Sequence, residues 1–172
     1  MIINLKNMPS TKIFDLSLPK EWWQAREDDP VLGLDKPLKV DAELYRAGKR
    51  FILKGKLSGG VLITCDRCLE AYNRDIVYGF NVSLVRPTSD PENMEVELIE
   101  EDMSVAFVNE EEIDLDDIIR EQVYLALPIK YLCNDNCMGL CPECGMNLNM
   151  NKCQCMKKHG HPGFLKLKNL KI

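Results

Sequence analysis

Residues 38–57 read LKVDAELYRAGKRFILKGKL, and their alternation decides the fold. Leu38, Val40, Ala42 and Leu44 alternate with Lys39, Asp41 and Glu43. Phe51, Leu53, Gly55 and Leu57 alternate with Ile52, Lys54 and Lys56. A period of two with one apolar face marks a half-buried strand. The pattern resumes at Val61 and Ile63 after "SGG", and again at Ile76, Tyr78, Phe80, Val82 and Leu84. Residues 38 to 85 therefore read as an antiparallel sheet, with "RAGKR" and "SGG" as hairpin links. The segment CDRCLEAYNR joins two of the strands, which puts Cys65 and Cys68 on a turn at the sheet's end.

On the C-terminal side, residues 86–95 read as a polar loop, and short strands are expected near Val96–Ile99 and Val105–Val108. "EEIDLDDIIREQVYLALP" then changes the period. Leu115, Ile118, Ile119, Val123 and Ala126 recur at helical spacing, Asp114 suits an N-cap, and Asp116 and Asp117 favour the positive end of the helix dipole. The pattern predicts a helix over Leu115–Leu127, stopped by Pro128. On the N-terminal side, Ile13–Leu16 has strand character. Of the neighbouring Trp22 and Trp23, one is expected to cap the core; a platform for stacking a nucleic-acid base is the rival reading. The expected architecture is α+β: a curved antiparallel sheet packed with one main helix (residues 1–128), followed by a small zinc-binding segment and basic tail (residues 129–172).

The chain has 172 residues, 45% of them hydrophobic, enough for one core plus an appendage. No stretch reaches the ~20 apolar residues of a membrane span, and residues 1–16 lack a basic flank followed by an apolar run. A cytoplasmic protein without membrane association or a small-molecule substrate is expected. In that compartment thiols stay reduced, so eight cysteines argue for metal rather than disulfides.

Their spacings are Cys65-x2-Cys68, Cys133-x3-Cys137, Cys141-x2-Cys144 and Cys153-x1-Cys155. Four close pairs make two four-thiolate sites, the set that structural zinc prefers. "CPECG" looks like a zinc knuckle in which Gly145 lets backbone amides approach a sulfur. The expectation is local closure of Cys141, Cys144, Cys153 and Cys155, with Cys65 and Cys68 sharing an ion with Cys133 and Cys137. The rival joins Cys65 and Cys68 to Cys141 and Cys144, leaving Cys133, Cys137, Cys153 and Cys155 together. An iron–sulfur cluster also takes four thiolates. A redox C-x-x-C of the thioredoxin kind belongs at a helix start in a parallel fold, which this segment is not. His159 and His161 are not needed as ligands.

Charge is unevenly placed. The net charge is −5, yet residues 90–117 carry thirteen acidic side chains and no Lys or Arg. Beyond Glu143 there is no acid, while Lys152, Lys157, Lys158, Lys166, Lys168 and Lys171 follow. Those six lysines, interleaved with Phe164, Leu165, Leu167 and Leu170, are the candidate nucleic-acid contact through phosphate charge; a solvated tail is the competing reading. The acidic run suits solvent or a basic partner such as a ribosomal protein. Arg67 is expected to bond a nearby carboxylate or carbonyl, with a phosphate as the alternative. No Ser-His-Asp set, phosphate-cradling glycine loop or HExxH appears, and a closed four-thiolate site leaves no open coordination position, so no enzyme is expected.

In combination, "CDRCLE", "EEIDLDDIIREQVYLALP" and "LCPECGMNLNMNKCQC" resemble the YceD family, the large ribosomal RNA subunit accumulation proteins, in the form with a full C-terminal cysteine cluster. The likeness runs from the sheet to the last cysteine. It falls on Cys65, Arg67 and Cys68, on the helix from Ile113 to Pro128, and on Cys141, Pro142, Cys144, Gly145, Asn147, Leu148 and Asn149. The resemblance implies a non-enzymatic role in synthesis, processing or stability of 23S ribosomal RNA, with ribosomal RNA or the assembling large subunit as partner. It carries no catalytic residue onto this chain.

Overall fold

Alternating residues from Thr11 to Val85 build four long strands in the computed structural model, which describes residues 1–48, 50–85, 105–108 and 112–155. In chain order the strands are β1 (Ile2–Asn4), β2 (Thr11–Leu18), β3 (Val31–Ala47), β4 (Arg50–Thr64), β5 (Ala71–Val85), β6 (Val105–Phe107) and β7 (Glu112–Asp114), followed by helix α1 (Leu115–Leu125). The main sheet has the order β2-β3-β4-β5-β6, and β1 pairs separately with β7.

The in-facing set is the one the alternation gives. Leu38, Val40, Ala42 and Leu44 meet Phe51, Leu53, Leu57, Val61 and Ile63, and then Ile76, Phe80, Val82 and Leu84, all within one buried core. Lys39, Asp41, Glu43, Lys54 and Lys56 face solvent. Trp23 is buried in the same core with its indole N–H on the Val31 carbonyl, while Trp22 is half-buried.

Two expectations are corrected. The sheet is mixed rather than antiparallel, because β6 runs parallel to β5. Parallel neighbours need a crossover of about a dozen residues or more, and the stretch 86–104 supplies the length. Periodicity reports which face is buried, not strand direction. Second, "RAGKR" is the β3–β4 turn, with Gly48 at φ +63, but "SGG" is no turn. Ser58, Gly59 and Gly60 lie inside β4, opposite Val77, Ile76 and Asp75. Here β3 is irregular in register, and a Cβ on Gly59 would stand 3.0 Å from Leu38 Cδ1 and 3.1 Å from Leu38 Cα. The glycines make room for β3 to press close.

α1 follows β7 directly and packs against β5. The Asp114 carboxylate accepts from the Asp116 amide, the expected N-cap. Leu115, Ile119 and Val123 form its buried line, with Ile118 and Ala126 beside it, and Gln122 joins them at 1% exposure. The expected strand near Val96–Ile99, the acidic side chains from Asp90 to Glu111, and Lys157 to Lys171 with both histidines lie outside the described residues.

Candidate metal centres

The β4–β5 connection, Cys65 to Glu70, and the stretch Cys141 to Met146 make the same turn. In the first, the Leu69 amide donates to the Cys65 carbonyl and the Cys65 amide to the Glu70 carbonyl, both at 2.9 Å. In the second, the Gly145 amide donates to the Cys141 carbonyl (2.9 Å) and the Cys141 amide to the Met146 carbonyl (2.8 Å). The residue after the second cysteine is left-handed in both: Leu69 at φ +59 and Gly145 at φ +72. The winding aims the intervening amides at the first sulfur.

Residues 131–140 are laid onto the first turn by polar contacts that the sequence does not announce. Asp66 and Tyr131 bond reciprocally at 2.7 Å, amide to carbonyl and amide to carboxylate. Arg67 donates to the carbonyls of Asp135 and Cys137, the expected bond to nearby carbonyls. The Leu140 amide donates to the Arg67 carbonyl. Gly139, at φ +72, passes so close that a Cβ would sit 2.9 Å from that carbonyl oxygen.

These contacts gather the thiols into two quartets, Cys65/Cys68/Cys133/Cys137 and Cys141/Cys144/Cys153/Cys155, with all four sulfurs of each within 4.8 Å of one another. Sγ–Sγ separations are 3.7 Å for Cys68–Cys133, 3.9 Å for Cys65–Cys137 and 3.4 Å for Cys141–Cys153. Four sulfurs about 2.3 Å from a central zinc form a tetrahedron with edges of about 3.8 Å. A disulfide needs about 2.05 Å, and all eight thiols are free. The donor set therefore fits a closed four-thiolate ion in each quartet. Among the six lysines of the basic tail only Lys152 is described, and it is exposed.

Electrostatics separate the thiols. Burial opposes ionisation of Cys65, but amides of Cys133, Cys68 and Arg67 aimed at its sulfur outweigh it and bring the thiol down to about 6. Desolvation, with Cys137, Cys65 and Cys68 alongside, pushes Cys133 up to about 12. In the second quartet the Cys144 and Glu143 amides draw Cys141 down to about 7, while the neighbouring Cys144 pushes Cys155 up to about 12. Four adjacent thiolates repel one another, and a divalent cation relieves that repulsion.

Fold and site define a sheet protein whose end carries two four-cysteine centres of knuckle type. The family model for the large ribosomal RNA subunit accumulation protein YceD matches residues 53–171, well over half of the chain, and the chain belongs to that family. It is 27% identical over 156 residues to the "Large ribosomal RNA subunit accumulation protein YCED homolog 1, chloroplastic" of Arabidopsis thaliana, covering 78% of this chain and 49% of that protein. The Zea mays protein of the same name is 28% identical over 149 residues, covering 72% and 50%. An uncharacterized protein of Mycobacterium bovis is 31% identical over 111 residues, covering 64% and 51%. The chain spans about half the length of the curated relatives it matches. No solved structure matches it. Among the described residues no helix is long and apolar enough to cross a membrane.

Proposed function

We propose that this protein is a non-enzymatic factor supporting accumulation of 23S ribosomal RNA in the cytoplasm, and that each quartet holds one structural zinc ion. The family match supports the RNA role, since the family is named for that outcome. The near-tetrahedral sulfur spacing carries the metal reading. Zinc with four thiolates supplies a cross-link and no open position for a substrate. Residues 129–155 hold few apolar side chains of their own, so the ions would supply much of that segment's folding energy. The first quartet would pin the segment to the sheet, and the second would close it. The lysine tail would bring phosphate affinity.

The test is twofold. Loss of the gene should lower 23S relative to 16S ribosomal RNA, and the wild-type chain should restore the ratio. Purified protein should bind large-subunit RNA with an affinity that falls steeply with salt and drops when Lys157, Lys158, Lys166, Lys168 and Lys171 become Gln. An unchanged ratio would sink the role. Binding indifferent to the lysines would move the contact elsewhere. The second reading, docking to a basic protein through the acidic middle, gains little from the described acids. Asp114 caps α1, Asp116 accepts from the Trp22 indole, and Glu112 accepts from Asn4.

A further inference from the structure

The four sulfurs of the sheet-bound quartet are not equally protected. Cys65, Cys68 and Cys137 are 0%, 3% and 5% exposed, with Tyr72 and Leu132 packed against them. Cys133 is exposed. Hydrogen bonding follows the same division. Cys65 receives the Cys133 amide at 3.4 Å and faces the amides of Cys68 and Arg67. Cys68 faces the Glu70 amide. Cys137 receives the Asn149 side-chain amide at 3.3 Å and faces the Gly139 amide. Around Cys133, among the described residues, the neighbours are the other three sulfurs and no N–H donor. A cavity of about 300 Å³, lined by Cys68, Cys133, Cys137 and the asparagines Asn134, Asn136 and Asn149, opens on this side. The sulfur-bearing residues Cys68, Cys133 and Cys137 form part of its wall.

An N–H···S bond withdraws electron density from a thiolate and lowers its nucleophilicity, and burial bars access. From these two differences we infer that Cys133 is the modifiable ligand of the first quartet, a site for small peroxide-class oxidants entering through the asparagine-lined cavity. The chemistry balances with hydrogen peroxide as the oxidant. The Cys133 sulfur attacks the O–O bond, which breaks. Sulfur keeps one oxygen as a sulfenic acid and the other leaves as hydroxide. The Cys68 thiolate, 3.7 Å away, then attacks the sulfenic sulfur; an S–S bond forms, the S–O bond breaks and a second hydroxide leaves. Two thiolates lose two electrons and one peroxide gains them. The remaining pair, Cys65 and Cys137, no longer completes a tetrahedron. The new Cys68–Cys133 bond still joins the β4–β5 turn to the C-terminal segment. Oxidation would thus discharge the metal while keeping the tether, and a thiol reductant would reverse it.

The inference rests on the metal reading, because ligation is what keeps all four sulfurs as thiolates and leaves exposure and N–H bonding to set their order. The full-length protein is first assayed for zinc. It is then treated with dilute hydrogen peroxide, quenched with isotope-coded N-ethylmaleimide and mapped by peptide mass spectrometry, with zinc release followed by a chromogenic chelator. Cys133 should react about tenfold faster than Cys65, Cys68 or Cys137. A Cys68–Cys133 peptide should accumulate in step with release of that quartet's ion, and dithiothreitol should remove it. Equal rates, or a lead by Cys65, Cys68 or Cys137, overturn the inference. Linkage of Cys133 to a cysteine other than Cys68 overturns the second step. A zinc-free starting protein sinks the metal reading and the inference with it, whereas a wrong rate order in the zinc-loaded protein sinks the inference alone.

Discussion

Leu69 holds the backbone position that Gly145 holds in the second knuckle, and it pays for a Cβ in the left-handed region. Its side chain is 64% exposed, so replacing it forfeits little burial. Leu69→Gly should therefore stabilise the protein by up to about 1 kcal/mol, the relief of strain partly offset by a freer unfolded chain. Denaturant midpoints at fixed free zinc would show it, and a lowered midpoint would mean that Leu69 makes contacts worth more than its strain. Acidity can be predicted at this scale too. Cys65 is an acid whose folded pKa is depressed to about 6, so its thiolate is present above that value and lost as pH falls through it. Cys133 and Cys155, near 12, must each give up a proton to ligate at any ordinary pH. Metal affinity should fall as pH falls, because protons compete for the thiolates, and zinc added to stripped protein at pH 7 should acidify the solution. A metal affinity that does not change between about pH 8 and pH 5 would contradict thiolate ligation.

Among the elements, glycine placement separates tight seams from slack ones. A Cβ on Gly55 would meet Asp41 O at 2.6 Å, Phe80 Cζ at 2.7 Å and Ala42 Cβ at 2.8 Å, whereas one on Gly33 would meet nothing within 4 Å. Gly55→Ala should cost about 1–3 kcal/mol and Gly33→Ala close to nothing, read from thermal or urea melts. α1 is clasped to the N-terminal segment by Arg120. Its guanidinium lies 4.9 Å and 4.8 Å from the Trp22 and Trp23 ring centroids and donates to the Trp22 and Gln24 carbonyls. Arg120→Ala should cost about 1–3 kcal/mol and alter tryptophan fluorescence, with Lys restoring only part, because an ammonium neither stacks nor forks. These features also mark what the sequence concealed. Alternation in β3, β4 and β5 exposed the buried face, because burial imposes a period of two. It could not tell that β6 runs parallel, nor that Ser58–Gly60 continues a strand, since those depend on partners distant in the chain. Gln122 sits among apolar residues at helical spacing, so its 1% exposure follows from the periodicity, yet its polarity argued the other way. The cysteine spacing showed the close pairs that meet in the two quartets; the Asp66–Tyr131 and Arg67 contacts that bring them together left no trace in it.

Taken whole, the molecule is a sheet with its C-terminal segment bound to one end, and the two quartets divide that labour. Cys65 and Cys68 come from the sheet, Cys133 and Cys137 from the segment, and the second quartet draws only on residues 141–155. Protein with Cys141→Ser and Cys144→Ser should keep one zinc of two and leave the sheet's melting nearly unchanged. Cys65→Ser with Cys68→Ser should lose the other ion and leave residues 131–140 open to proteolysis, because a few exposed hydrogen bonds are a weaker hold than a four-thiolate clip. Loss of both ions in either variant would show that the quartets fold as one unit.

The small sheet of β1 and β7 has a further consequence. Ile2, Ile3 and Asn4 pair with Asp114, Ile113 and Glu112, so during synthesis β1 waits until the main sheet has followed it. The β3–β4 hairpin is local and closes early, but this pairing encloses most of the chain and carries a loop-closure entropy that local strands escape. β1 should therefore be a late arrival in folding and an early departure in unfolding. Its amides should exchange with solvent sooner than those of β4, whose neighbours on both sides are in place from the hairpin outward.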